Sequence, residues 1–287
     1  MGLRGEGEIA ADLAVLSTAE IVAALGATGL SPLLRAVVEG AARVPSRRLG
    51  RALGRFDALI AAVGITRAAR ATLAAFGVAL EVEGAARSRG PLLVVTNHPG
   101  AYDALALLTA LQRDDVALVA ADRAFLRAMP SLSTHLVFVD EGRAFGRLAG
   151  LRGALAWLAS GRALVQFGAG AIEPDARFAD GVELVAPWAP GTGVLAAGAA
   201  KLDASIVPAF VSGVHSSRAK RLPLVRWAER RGITTIAPLI QATVPGFRDV
   251  AVSVRIGAPI ERASLDGLTH VEAAMFLRAA VGTLGGR

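Results

Sequence analysis

The sequence predicts an α/β protein, with a mostly parallel sheet flanked by helices and an N-terminal helical extension. Three observations predict it. The 287-residue chain is 53% hydrophobic, ample for a full core. Up to Phe76 it reads as successive helices rich in Ala and Leu, with Arg recurring on one side. From Gly77 onward short β-type runs alternate with helical ones, a pattern that gives a largely parallel sheet with helices on its faces. The division that follows is an extension over residues 1–76 and an α/β domain over 77–287.

Within the extension, Ser17 with Glu20 reads as a capping box ahead of "IVAALG" and Ser31-Pro32 opens a second helix. "TRAARATLAAFG" reads as a third helix, ending at Gly77. Two readings of these helices stand: bundle helices covering a core, or an interfacial element that docks on a membrane with its arginines facing the head groups.

Beyond Gly77 the strand runs are "VALEVEG", "PLLVVT", "VALVAA", "HLVFVD", "ALVQF", "SIVPAFV" and "VAVSVRIG". "YDALALLTALQ" and "GRLAGLRGALAWLAS" are helices between them. Ligands of such sheets bind beyond the carboxyl ends of strands, where His98, Asp140 and Phe167 fall. The segment "VHSSRAKRLPLVRWAERRG", Val214 to Gly232, interrupts the strand pattern with six Arg or Lys against the single acid Glu229, and Trp227 lies among them. It reads either as a solvated face or as a surface for phosphate-bearing ligands or lipid.

Composition excludes some chemistry. Without cysteine there is no disulfide framework, no thiolate nucleophile and no Cys-based zinc or iron-sulfur site. A net charge of +7 favours anionic partners, whether nucleic acid, lipid head groups or phosphorylated substrates. One tyrosine and 5% aromatic content argue against a base-stacking surface. Glu6, Glu8 and Asp12 stand where a secretory leader would be basic and then apolar, and Glu6 breaks the myristoylation pattern. The charge-free runs Ile21 to Leu34 and Gly232 to Phe247 are too short to span a bilayer, and each holds a proline. The expectation is a cytoplasmic protein, free or peripheral on the cytoplasmic face of a membrane.

The stretch with most chemical content is "PLLVVTNHPGAYDALALL", Pro91 to Leu108. An apolar strand runs into His98, Pro99-Gly100 turns the chain, and Asp103 falls in the first turn of the next helix. That order can fold the carboxylate back on His98, fixing its tautomer and raising its basicity for general base catalysis. Backbone amides at the helix start can also help hold an anion. The alternative is a polar turn, with Asp103 a helix-start acid favoured by the dipole.

"NHPGAYD", Asn97 to Asp103, resembles the first block of the glycerophospholipid acyltransferase superfamily: Asn-His, four residues, then Asp. The later blocks follow in order up to about Ile260. "VFVDEGRAFGR" is similar to the second, with Phe138, Val139 and Asp140 in place and Glu141 where Arg usually follows. Arg143 and Arg147 are then the substitutes for contacting an acceptor phosphate. "QFGAGAIEPD" resembles the third block, Phe-Pro-Glu-Gly, keeping Phe167 and Gly170 but with Gly168 at the Pro position, Ala169 at the Glu position, and Glu173 nearby. "SIVPAFVSG", with Pro208, is similar to the fourth, and "VSVRIGAPI" to a late family strand.

The resemblance implies transfer of a fatty acyl group from an acyl-CoA or acyl-carrier-protein thioester to a hydroxyl of a lysolipid, glycerol phosphate or related lipid precursor. It implies His98 as base and Asp103 as its orienter. It implies Asn97, Arg143, Arg147, Phe167, Gly168, Ala169, Gly170 and Pro208 at the substrates. No metal and no cofactor beyond the acyl donor are expected. The expected partners are that donor, a lipid acceptor and a membrane surface, without nucleic acid. The altered second and third blocks keep a second reading open, a catalytically altered homologue that binds lipid or membrane surfaces.

Rivals fail in context. "GTGVLA" at Gly191 and "GAGAIE" at Gly168 approach a dinucleotide fingerprint, but the first follows "APWAP", a poor strand, and the second enters "EPD", a poor helix. No Gly-x-Ser-x-Gly of a serine hydrolase occurs.

Overall fold

A computed structural model of the chain describes residues 6–24, 31–86, 89–140, 142, 144–179, 184–233 and 236–286. The seven apolar runs form seven strands: β1 (Ala79–Glu83), β2 (Leu92–Thr96), β3 (Val116–Ala121), β4 (Leu136–Val139), β5 (Ala163–Phe167), β6 (Ser205–Ser212) and β7 (Ala251–Ile256). They make one sheet in the order β1-β7-β6-β2-β5-β3-β4. Every neighbouring pair is parallel except β6 with β7. The protein is therefore α/β with a mostly parallel sheet.

Each strand's sequence suits its place. β2 is central, and all five of its residues are buried, as a strand covered on both faces requires. Edge strand β1 exposes Glu81 and Glu83, charges that keep an open edge from pairing with another chain.

The chain divides into two compact units. One holds the sheet, from residues 79–122, 134–214 and 251–287. In it α4 (Asp103–Leu111) follows β2, α7 (Ala144–Ala159) follows β4, α8 (Pro190–Lys201) precedes β6, and α12 (His270–Gly285) comes last. Leu158 of α7, Leu195 of α8 and Leu277 of α12 join Leu93, Leu164 and Phe210 of the strands in one buried core. Thr269 and Glu272 form a reciprocal capping box that starts α12.

The other unit comprises residues 1–78, 123–133 and 215–250. Its helices are α1 (Glu6–Ala24), α2 (Pro32–Val63), α3 (Ile65–Ala75), α5 (Ala124–Arg127), α6 (Pro130–Ser133), α9 (Ser217–Lys220), α10 (Pro223–Glu229) and α11 (Ile236–Thr243). The long α2 ties the segments together. Its buried Asp57 accepts a 2.8 Å bond from the Leu132 amide, and its Arg48 donates to the Thr243 carbonyl at 2.9 Å.

The second helix opens at Ser31-Pro32 and the third ends just before Gly77, as expected, but the capping box at Ser17 does not form. α1 runs unbroken through that position, with Ser17 buried inside it and Thr18 bonded back to the Ala14 carbonyl at 2.8 Å. A mid-helix position has no orphan amide to cap, so the motif is inert there. Among the described residues no helix is long and apolar enough to cross a membrane.

Candidate active site

The site begins where β2 ends. Asn97 is fully buried, and its side chain donates to the Val211 carbonyl and accepts from the Val211 amide, both at 2.8 Å. The amide group thus prolongs the β2–β6 ladder by one rung. It fixes the strand end next to His98. After His98, Gly100 (φ 85) and Ala101 (φ 53) both take left-handed backbone, which turns the chain sharply into α4.

That turn brings Asp103 back to His98. The imidazole Nδ1 lies 2.7 Å from Asp103 Oδ2. The carboxylate is 2% exposed and also accepts the Gly100 amide at 2.7 Å and the Ala104 amide at 2.6 Å. The anion held by the amides at this helix start is therefore Asp103 itself. A carboxylate that already accepts two N–H bonds leaves Nδ1 the donor's role, so the neutral ring carries its lone pair on Nε2. Phe167, at the end of neighbouring β5, stacks on the ring at 4.2 Å between centroids with a 34° tilt.

Glu173 holds the histidine from the other side. Its backbone amide donates to the His98 carbonyl at 2.8 Å, while its Oε2 accepts the His98 amide at 2.7 Å. Oε1 accepts the Ala186 amide, also at 2.7 Å. Two accepting oxygens on a 3% exposed side chain suit an ionised carboxylate. Burial is the main influence on Glu173 and raises its pKa, against the two amides and the nearby Trp188 indole, which favour the charge. Among the described residues the Trp188 Nε1 has no hydrogen-bond partner. For His98, burial is again the largest single influence and lowers its pKa, but the Asp103 hydrogen bond and the negative charges of Asp103 and Glu173 outweigh it. The net effect holds the imidazole above its ordinary range.

The other expected residues divide. Gly168 stands beside the pair: its amide donates to the Thr96 carbonyl at 2.9 Å, and its carbonyl accepts the Thr192 hydroxyl at 3.1 Å. A Cβ there would lie 2.2 Å from the Trp188 ring, so only glycine fits at this position of the third block. Ala169 packs on the core, and Gly170 closes the turn onto the Phe167 carbonyl. Pro208 is buried in β6 opposite Val95. Its carbonyl accepts the Gly257 amide where the ladder to β7 ends, so its missing N–H breaks no central rung.

Arg147 is exposed in α7, after edge strand β4, which lies three strands from β2, or roughly 14 Å in strand spacings. Glu141 and Arg143 lie outside the described residues.

Glu173 was set by sequence only near the third block, and its bonds to both backbone groups of His98 were not foreseen. Its only local signal is an acid set between Ile172 and Pro174 just after a strand, next to Asp175, which is also buried and bonded to the Gly213 amide. In the glycine pattern at Gly191, packing accounts for the second glycine, Gly193. A Cβ on Gly193 would fall 1.9 Å from the His270 carbonyl at the start of α12. An open cleft of about 360 Å³ in the same unit is lined by Arg177, Phe210, Ser212 and Arg255 among others, without His98 or Asp103. Among the described residues no group of three or more His, Asp or Glu is placed to hold a metal ion.

No protein-family model matches the chain. No curated protein matches it either. Among solved structures the chain is similar to the 1-acyl-sn-glycerophosphate (LPA) acyltransferase PlsC from Thermotoga maritima, with 17% identity over 84% of this chain and 82% of that one and a TM-score of 0.48. A likeness that distant transfers no chemistry.

Proposed function

We propose that the protein is an acyltransferase that moves a fatty acyl group from a CoA or acyl-carrier-protein thioester to a hydroxyl of a lysolipid, glycerol phosphate or related lipid precursor. The observation that carries the reading is the His98 Nδ1 to Asp103 Oδ2 bond of 2.7 Å at the carboxyl end of a central strand. It leaves Nε2 basic on a side chain that is 29% exposed.

In the step that follows, Nε2 takes the proton of the acceptor hydroxyl as its oxygen attacks the thioester carbonyl. The tetrahedral intermediate collapses with cleavage of the C–S bond. The leaving thiolate recovers the proton from the imidazolium, so an ester and a free thiol are formed and His98 returns neutral. No acyl-enzyme is needed, and Asp103 stabilises the imidazolium without itself taking a proton. The order of the four family-like blocks along the chain supports the acyl and lipid parts of the reading, and the surplus of arginine suits a phosphate-bearing acceptor.

The test is thiol release from acyl-CoA and acyl-carrier protein with a panel of lysolipid, glycerol phosphate and glycolipid acceptors. Acceptor-dependent release is expected, falling about a hundred- to ten-thousand-fold in His98→Ala, the range general base catalysis supplies. Release no greater than that of His98→Ala with every acceptor and either donor would overturn the reading and leave a lipid-binding homologue in its place.

A further inference from the structure

We infer that α10 and the turn after it form a docking surface for an anionic lipid bilayer. The inference does not depend on the proposed reaction. Val225 and Ala228 are fully buried against Ala219, Ile236 and Ala237, which anchors one face of the helix in its own unit. The adjoining side exposes two large apolar residues, Leu224 at 55% and Trp227 at 42%. They stand three positions apart on one stripe of the helix, and both are exposed.

Around them stand the exposed Arg221, Arg226, Arg230 and Arg231. The guanidinium of Arg231 lies over the Trp227 ring at 4.3 Å. Glu229, the one acid between Val214 and Gly232, is paired with Lys220 at 2.5 Å, so it does not offset the arginines.

Apolar side chains projecting between cations on a fixed helix match the layered chemistry of a bilayer surface. The aliphatic and indole groups enter the acyl boundary, and the guanidiniums meet phosphates above it. Tryptophan is the residue most suited to that interface. A nucleic acid would use the arginines but gain nothing from an exposed leucine, and one indole covered by Arg231 is no stacking platform. Charge complementarity and the exposed Leu224 together favour the membrane.

The experiment is sedimentation of the full chain with phosphatidylcholine vesicles, with and without phosphatidylglycerol. Binding is expected only to the anionic vesicles. Arg226→Gln with Arg230→Gln should weaken it about 25-fold, at about fivefold per arginine near an anionic surface. Leu224→Ser with Trp227→Ser should leave a residue of binding that salt abolishes, because only charge remains. All four side chains are exposed, so the variants retain the fold, which circular dichroism checks.

The matched pair Arg67→Gln with Arg70→Gln, exposed on α3, should bind as the native chain does. Trp227→Phe should keep binding but lose the part of the fluorescence that brominated lipids quench. The inference fails if the α10 variants bind vesicles like the native chain or if the α3 pair abolishes binding. It fails equally if the α10 variants lose affinity for duplex DNA and none for vesicles.

Discussion

Burial and charge pull on His98 in opposite directions, and the winner fixes its pH behaviour. Taking the ring out of water disfavours the imidazolium, but the Asp103 bond and the charges of Asp103 and Glu173 favour it more strongly. The base is therefore protonated at pH values where an ordinary histidine is already neutral. Activity that needs neutral Nε2 should rise with pH through a half-point above the usual histidine value and then level off. Glu173→Gln removes one of the charges that raise the pKa, so the half-point should move to lower pH in the rate profile and in the NMR titration of His98. An unmoved half-point in both would mean that Glu173 is neutral or without influence on the ring. Gln also cannot accept both the His98 and Ala186 amides, and one unpaired buried amide costs about 1–3 kcal/mol. Asp103→Asn loses both the charge and the assured tautomer, so kcat should fall at least about a hundredfold with KM little changed. A KM effect alone would make Asp103 a substrate contact instead.

At the scale of elements, small residues set how closely helices approach. Gly193 lies in α8 where the His270 carbonyl comes within 1.9 Å of a Cβ position, so Gly193→Ala must push α8 from α12. Overpacking of that kind costs about 1–3 kcal/mol, visible as a drop of several degrees in Tm. An alanine variant as stable as the native chain would show that the two helices give way freely. The strands were legible because each is a short β-type run, most plainly the fully buried Leu92 to Val95. Their order was not, and neither was the reversal at β7. A strand's direction depends on its connection, and here α9, α10 and α11 intervene between β6 and β7. The capping motif at Ser17 misled because tertiary packing keeps α1 continuous through it. The pair His98 and Asp103 was legible because one turn joins them. The hold of Glu173 on His98 was not, because that bond crosses 75 positions that no local pattern spans.

For the whole molecule the decisive fact is that the N-terminal helices are built into a unit with two distant segments. Asp57 holds the start of α6, and Arg48 holds the end of α11, through bonds that cross 75 and 195 positions of the chain. Removing residues 1–76 would therefore strip residues 123–133 and 215–250 of the helices they are bonded to, leaving the buried Leu132 amide without its acceptor. A chain starting at residue 77 should aggregate, or unfold at lower temperature and over a broader range than the full chain. Circular dichroism melting of the two proteins side by side measures this. A truncated chain that melts as high and as sharply as the full one would show that the sheet unit needs nothing from the helices. If the expected loss is seen, deletion of the N-terminal helices cannot be used to ask whether they bind membrane. Lost binding would then report lost structure around α10 as readily as a lost docking helix, and only exposed single-residue changes such as those at Leu224, Trp227 and Arg226 separate the two.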